Sequence, residues 1–289
     1  LKCVLTHPLD SANDPRLCPE SQHSPNAAQH ASARYSHLVE EVAAAINLNG
    51  ISYAVMMITP DHFEDFVIGF LFAEGIISQD EDVHEIDITP VQDGVMLDVI
   101  LANRCLIALK QRKRRLVGAT GCGICGVEAL GHALPDLPPL PACAPLLLEH
   151  VDSLKQQIHT HQLKAQRSGA IHAAFALDEA GNVLECREDI GRHNALDKLI
   201  GALLRQKRSA KALLMTSRCS SELIQKAVRY GANHLISLAS PSQLAVKLAL
   251  KYQLNLVHIP KFDPPIHYSI FDESLACQCN SGEFYACSY

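Results

Sequence analysis

The fold class is clearest in residues 211–259, KALLMTSRCSSELIQKAVRYGANHLISLASPSQLAVKLALKYQLNLVHI. Short apolar strands alternate there with amphipathic helices, and the same alternation begins upstream at residue 170. The predicted strands lie at 171–177, 182–188, 211–216, 234–238 and 254–259, and the predicted helices at 193–206, 220–230 and 241–252. This order is typical of a layered α/β domain with a largely parallel sheet.

A second structured region precedes this domain. VAAAINLNGISYAVMMI, residues 42–58, predicts two strands joined by a tight turn at Asn49-Gly50, because this dipeptide favours hairpin turns. TPDHFEDFVIGFLFAEG, residues 59–75, predicts a helix that Thr59 caps and Gly75 ends. Two further strands are expected at 83–89 and 95–101.

The domain organisation follows from composition. Residues 1–35 are rich in Pro, Ser, His, Gln and Asn and are expected to form a disordered tail. The proline-rich run PDLPPLPACAP at 135–145 is expected to link an N-terminal α/β domain, 36–134, to a C-terminal domain, 146–268. After the run, residues 146–167 predict one long amphipathic helix, and 269–289 form a second tail.

Composition excludes several classes of protein. The chain has 289 residues, 48% of them hydrophobic, and no Trp, so its core is aliphatic. A net charge of −6 argues against a protein that binds nucleic acid through phosphate contacts. With no apolar stretch of the roughly 20 residues that span a bilayer, and no signal peptide pattern, we expect a soluble cytoplasmic protein without membrane contact. The 11 cysteines do not suit a secreted disulfide scaffold, and Cys105, Cys186 and Cys219 are expected to be buried thiols.

GCGICG, residues 121–126, holds Cys122 and Cys125 among glycines that leave the thiols accessible. Four interpretations compete for this pair: a zinc site, a thioredoxin-like redox site, inert buried thiols, and a sulfur carrier whose thiolate accepts a persulfide sulfur. A basic run, 110–115, precedes the pair. It is either a solvated helix face or a positive surface that lowers a thiol pKa and attracts an anionic partner.

REDIGRHNALDKLIG, residues 187–201, places Arg192 and His193 at a predicted helix N-terminus, where they would face an anionic ligand. In a purely local interpretation Gly191 makes the turn, and Asn194 with Asp197 caps the helix. The two interpretations are compatible.

TSRCSSE, residues 216–222, has the same placement between a strand and a helix. Arg218 is a candidate anion contact, whereas Ser220 or Ser221 acting only as a helix cap is the simpler interpretation. His172 lies in a predicted strand and is expected to be a hydrogen-bonded core residue.

With these motifs in place, the chain resembles the FdhD family of sulfurtransferases, which formate dehydrogenase activity requires. The resemblance covers about residues 38–268 and depends above all on the block REDIGRHNALDKLIGALL, with GCGICG, SRCSSELIQKAV and ASPSQLAVKLA in the same order. It implies a smaller N-terminal α/β part and a C-terminal layered domain similar to cytidine deaminases but without their zinc motif. It also implies a homodimer.

The resemblance further implies that sulfur passes from a cysteine desulfurase to the molybdenum cofactor, a bis(molybdopterin guanine dinucleotide), which is delivered to formate dehydrogenase. Cys122 matches the family's persulfide cysteine, and Cys125 would assist it. The family's cofactor-binding segment corresponds to Ile259, Pro260, Lys261, Phe262, Asp263 and Pro264, where only Lys261 keeps the usual residue type. Because the cofactor carries phosphates, the helix N-termini at 192–194 and 218–221 are further candidates to bind it.

Two other functions share parts of this pattern. A chaperone that holds the cofactor or the apoenzyme needs the anion sites but no reactive thiol. A thiol–disulfide oxidoreductase instead needs a disulfide between Cys122 and Cys125 that forms readily.

Overall fold

The structure, a computed structural model, describes residues 38–109, 136–146, 151–169 and 171–269. The predicted tail 1–35, the motif GCGICG, the basic run 110–115 and the C-terminal tail from residue 270 lie outside the described residues. The described part of the chain is a mixed α/β structure built on two β-sheets.

The first sheet has four strands in the order β2-β1-β4-β3. Their bounds are β1 Val42–Leu48, β2 Ile51–Ile58, β3 Val83–Val91 and β4 Gly94–Leu101. The predicted hairpin is confirmed: Asn49 and Gly50, at φ 49° and 76°, form the two-residue turn between β1 and β2. The two strands predicted at 83–89 and 95–101 are confirmed as β3 and β4.

The helix between β2 and β3, α1, spans Phe63–Ala73, so its predicted start at Thr59 is wrong. Its N-cap residue is His62, in the left-handed region at φ 49°. The Thr59 side chain is used elsewhere, because its hydroxyl accepts a hydrogen bond from the Ile190 amide at 3.0 Å. A bond to a residue distant in the chain replaces the expected local cap.

The second sheet has six strands in the order β10-β9-β8-β7-β5-β6. Their bounds are β5 His172–Leu177, β6 Val183–Asp189, β7 Ala212–Arg218, β8 His234–Ala239, β9 Asn255–His258 and β10 Ile266–Tyr268. Only the pairs β7–β8 and β8–β9 are parallel, so the prediction of a largely parallel sheet is wrong. The reason is that β5 and β6 form a hairpin, and β5 lies between β6 and β7, antiparallel to both.

Helices cover both faces of the second sheet. Three pack on one face around a shared apolar core: α4 Arg192–Arg205, α5 Ser221–Tyr230 and α6 Gln243–Lys251. On the other face Leu154 and Ile158 of α2, Val151–His161, pack against the strands. The long helix predicted over 146–167 is interrupted at Gln162, and a short helix, α3 Leu163–Ser168, follows. The Glu188 carboxylate accepts from the Lys164 and Ala165 amides at 2.9 Å and so satisfies this new N-terminus.

Helices α1 and α4 join the two sheets at a close crossing. A Cβ atom on Gly69 would overlap the carbonyl oxygen of Asp197, and one on Gly201 would overlap that of Asp65. Glycine at both positions therefore lets the two backbones touch. The described residues 136–146 form neither helix nor strand, and the domain boundary at 135–145 stays a prediction.

Candidate functional site

A cavity of 340 Å³ lies where β7 and β8 end. Three helices begin around it: α4 at Arg192, α5 at Ser221 and α6 at Gln243. This convergence follows from the connectivity, because a helix that follows a strand starts at the carboxyl edge of the sheet. The lining residues are Arg192, Arg218, Cys219, Ser220, Ser240, Pro241 and Ser242.

The electrostatics of this cavity favour an anion. Two guanidinium groups and the positive ends of three helix dipoles face one space, and the described lining contains no carboxylate. The Ser242 hydroxyl accepts from the Ala245 amide at 3.1 Å, as a helix cap does. Ser220 occupies the N-cap position of α5, but its side chain makes no cap hydrogen bond. That hydroxyl instead lies 3.4 Å from His193 Nε2.

Of the two arginines that line the cavity, Arg192 is half-buried and Arg218 is exposed. The Nε atom of Arg192 is buried and finds no hydrogen-bond partner among the described residues. An unpaired buried donor is costly, which is consistent with a site completed by an acceptor from a ligand. Burial and, next, the charge of Arg192 lower the pKa of His172, which is half-buried at the start of β5.

His193 points toward the first turn of α5. Its Nε2 atom lies 2.7 Å from Glu222 Oε2 and 3.4 Å from Ser220 Oγ. Burial lowers the pKa of His193, and the opposing effect of Glu222 is smaller. The structure thus places Arg192 and His193 together at the start of α4, as the sequence predicts.

The capping role predicted for Asn194 and Asp197 is wrong. Gly191 is the N-cap residue of α4. The Asn194 amide nitrogen donates instead to the Met57 carbonyl at 2.8 Å and to Asp189 at 3.0 Å. Asp197 accepts from Lys226 Nζ at 2.6 Å, and burial raises its pKa to about 6. These side chains join structural elements rather than cap their own helix.

Sequence reasoning also missed Lys198, which is fully buried. Its Nζ atom donates to the Thr59 carbonyl at 2.9 Å, to Asp61 at 2.7 Å and to Asp189 at 2.7 Å. Burial lowers the pKa of Lys198, and the largest opposing effect comes from Asp189. A signal existed in the sequence, because Asp197 and Lys198 interrupt an otherwise apolar run in a helix.

A second buried carboxylate, Asp65 on α1, strengthens the same junction. It accepts from Arg187 Nε of β6 at 2.9 Å and from Arg205 Nη1 of α4 at 2.6 Å. The motif at 187–201 therefore has two roles. Arg192 lines the cavity and His193 contacts Ser220 of its lining, whereas Arg187, Asp189, Asn194 and Lys198 bind the first sheet and its helix.

The segment predicted to bind a cofactor follows β9. Ile259 is buried and its amide donates to the Ser237 carbonyl at 2.9 Å. Lys261, Phe262, Asp263 and Pro264 are exposed in the connection to β10, with Phe262 87% exposed. Pro260 is half-buried. Because β9 is parallel to β8, the segment starts at the same edge of the sheet as the cavity, although it does not line it.

The described cysteines are not the reactive pair of the motif. Cys122 and Cys125 lie outside the described residues, so the structure does not test their roles. Burial raises the pKa of Cys186 and of Cys219 to about 12 and also raises that of Cys105. Cys105 and Cys219 are buried, as the sequence predicts, whereas Cys186 is half-buried, so the prediction is wrong for Cys186. The described residues contain no group of three His, Cys, Asp or Glu side chains that could hold a metal ion.

Comparison with known proteins adds four findings. The model of the FdhD/NarQ family matches residues 39–273. The chain is 38% identical over 229 residues to the sulfur carrier protein FdhD of Bordetella bronchiseptica, which covers 78% of this chain and 83% of that relative. Its similarity to the protein of the same name from Bordetella parapertussis has the same extent. A crystal structure assigned to a formate dehydrogenase accessory protein from Desulfotalea psychrophila shares the fold, with a TM-score of 0.58 and 24% identity over 80% of this chain and 87% of that one.

Proposed function

We propose that this chain, which belongs to the FdhD/NarQ family, is a sulfur carrier that serves the maturation of formate dehydrogenase. Its relatives in two Bordetella species bear the name sulfur carrier protein. The single observation of the structure that carries the proposal is the cavity at the carboxyl edge of the second sheet, where Arg192, Arg218 and three helix N-termini converge.

The proposed sulfur chemistry belongs to Cys122. Its thiolate attacks the terminal sulfur of a persulfide on a cysteine desulfurase. A new sulfur–sulfur bond forms at Cys122, the donor's sulfur–sulfur bond breaks, and the donor cysteine leaves as a thiolate. The glycines of GCGICG suit a loop that must reach two protein partners in turn. Cys125 is the second thiol of this loop and assists the transfer.

The proposed acceptor is the molybdenum cofactor in its bis(molybdopterin guanine dinucleotide) form, which this protein binds as cargo. Each guanine dinucleotide carries a diphosphate, for which guanidinium groups and helix amides are suitable partners. Arg192 and Arg218 would hold a diphosphate, and the neighbouring segment 259–264 would contact the remainder. His193 lies beside this position and would orient the Ser220 hydroxyl at 3.4 Å.

Two further expectations belong to this proposal. The protein acts as a homodimer, which size-exclusion chromatography with light scattering measures directly. It works in the cytoplasm, where its cysteines stay reduced. Within the described ranges, no helix combines the length and apolarity needed to cross a membrane.

The test is mass spectrometry of the full-length protein after incubation with a cysteine desulfurase and free cysteine. We expect a reducible gain of one sulfur atom on Cys122, lost in Cys122→Ala and kept in Cys219→Ala, whose buried thiol is the matched control. In cells, formate dehydrogenase maturation should fail with Cys122→Ala and proceed with Cys219→Ala. Absence of sulfur from both loop cysteines, with an active desulfurase, would instead favour a cofactor-binding chaperone. A stable Cys122–Cys125 disulfide that exchanges with dithiols would favour an oxidoreductase.

A further inference from the structure

A second cavity, of 450 Å³, lies at the opposite edge of the second sheet, where β7 and β8 begin. It is separated from the anion cavity by the length of β8, roughly 20 Å for six residues. Apolar side chains and a few polar groups share its lining, namely Cys143, Leu146, Leu177, Asp178, Glu179, Leu184, Ser209, Ala210, Lys211, Ala212, Asn233 and His234. Its size is that of a small-molecule site, about 300–1,000 Å³.

A thiol and an imidazole meet in this second cavity. Cys143 Sγ lies 3.8 Å from His234 Nε2, within the range of a hydrogen bond to sulfur. His234 is only 6% exposed, and its Nδ1 atom is buried without a hydrogen-bond partner among the described residues. Cys143 is half-buried and lines the cavity. A buried base therefore contacts a thiol at the cavity wall.

The backbone around Cys143 is fixed to the sheet, which keeps the thiol beside the imidazole. The amide nitrogen of the buried Asn255 side chain donates to the Cys143 carbonyl at 2.9 Å. Three residues earlier, the Leu140 amide donates to the Tyr252 carbonyl at 2.9 Å, and the Leu140 side chain is buried. These contacts hold a segment that has no helix or strand of its own.

We propose that Cys143 is a second reactive thiol of this protein, activated by His234, and that it exchanges with a low-molecular-weight disulfide bound in the second cavity. His234 Nε2 takes the thiol proton as Cys143 Sγ attacks one sulfur of the disulfide. A mixed disulfide forms at Cys143, the original sulfur–sulfur bond breaks, and the leaving thiolate receives the proton from His234. Cys143 is thereby oxidised, and the released half of the disulfide is reduced to a thiol.

The environment of the other described cysteines makes the proposal specific. Burial raises the pKa of the Cys186 and Cys219 thiols to about 12, and neither lines this cavity. Burial lowers the pKa of His234, so its imidazole is neutral at pH 7 and able to accept a proton. The site depends on neither Cys122 nor Cys125, so the proposed sulfur-carrier function and this inference succeed or fail independently.

The test measures mixed-disulfide formation with bis(2-hydroxyethyl) disulfide at pH 7 in the folded full-length protein, with peptide mass spectrometry resolving each cysteine. A synthetic peptide, LPACAPL, supplies a thiol of the same local sequence without the histidine. A thiol in water is a few per cent thiolate at pH 7, so a proton acceptor raises its rate by at most roughly 30-fold. We expect Cys143 in the protein to react about tenfold faster than the peptide. His234→Gln should return the rate to that of the peptide or below, with Cys186 and Cys219 unmodified in both proteins.

Two results would overturn the proposal. The first is a Cys143 rate in the wild-type protein equal to or below that of the peptide. The second is an unchanged rate in His234→Gln with a native circular dichroism spectrum. If that variant does not fold, the comparison between the wild-type protein and the peptide decides alone.

Discussion

Replacing Lys198 by methionine removes the only cation that contacts Asp189 within the described part of the chain. Both side chains are 0% exposed, and Lys198 Nζ lies 2.7 Å from Asp189 Oδ2. Breaking a buried ion pair by removing one partner costs about 3–5 kcal/mol. Asp189 keeps three donors: the Thr59 amide at 3.0 Å, the Gly191 amide at 2.8 Å and the Asn194 side chain at 3.0 Å. We therefore expect a loss at the lower end, about 3 kcal/mol.

Differential scanning calorimetry at pH 7 measures this loss. For a protein of this size each kcal/mol lowers the Tm by about 2–4 °C, so we expect a decrease of roughly 6–12 °C. The matched control is Lys207→Met, because this lysine is 60% exposed and pairs with Asp80 and Glu81. An exposed pair contributes at most about 1 kcal/mol. Equal Tm values for Lys198→Met and Lys207→Met would refute the conclusion that Lys198 joins the two sheets.

Three further changes test other parts of the structure. Gly201→Ala should cost about 3 kcal/mol in urea unfolding, because its Cβ would overlap the Asp65 carbonyl oxygen, and unchanged stability would disprove the close helix crossing. Arg218→Gln should weaken guanosine diphosphate binding about tenfold or more in titration calorimetry, while Arg208→Gln, at an exposed position outside the cavity, should not change it. Burial lowers the pKa of His234 in the folded protein below its ordinary value of 6.5. As the pH falls below 6.5, the unfolded chain binds a proton at this residue before the folded protein does. The stability of the folded protein therefore decreases until the pH reaches the folded pKa. His234→Gln should reduce the slope of stability between pH 7 and 5 by at most about 1.4 kcal/mol per pH unit, and an unchanged slope would contradict this.

Local signals predicted the elements that depend on neighbours in the chain. Asn49-Gly50 adopts the positive φ angles of its turn whatever lies elsewhere in the fold. The apolar periodicity of 192–205 likewise gave α4 within one residue of its predicted bounds. At the candidate site, the placement of Arg192 and Arg218 near the starts of helices was therefore predictable.

The errors have one physical cause, which is competition from distant partners. Thr59 was expected to cap α1, but Ile190 and Asp189 take its hydroxyl and amide from 131 and 130 residues away. Strand direction in the second sheet was also missed, because no local pattern shows that β5 inserts between β6 and β7. Nor does a local pattern show that Cys143 and His234 meet.

The junction between α1 and α4 has a consequence for synthesis on the ribosome. Asp65 and Arg205, which it brings together, are separated by 140 residues in the chain. At translation rates of about 5–20 residues per second, roughly 7–28 s pass between the synthesis of Asp65 and that of Arg205. During that interval the glycine-containing face of α1 is exposed in the nascent chain. The close crossing of the two helices therefore forms only after most of the chain has been synthesised.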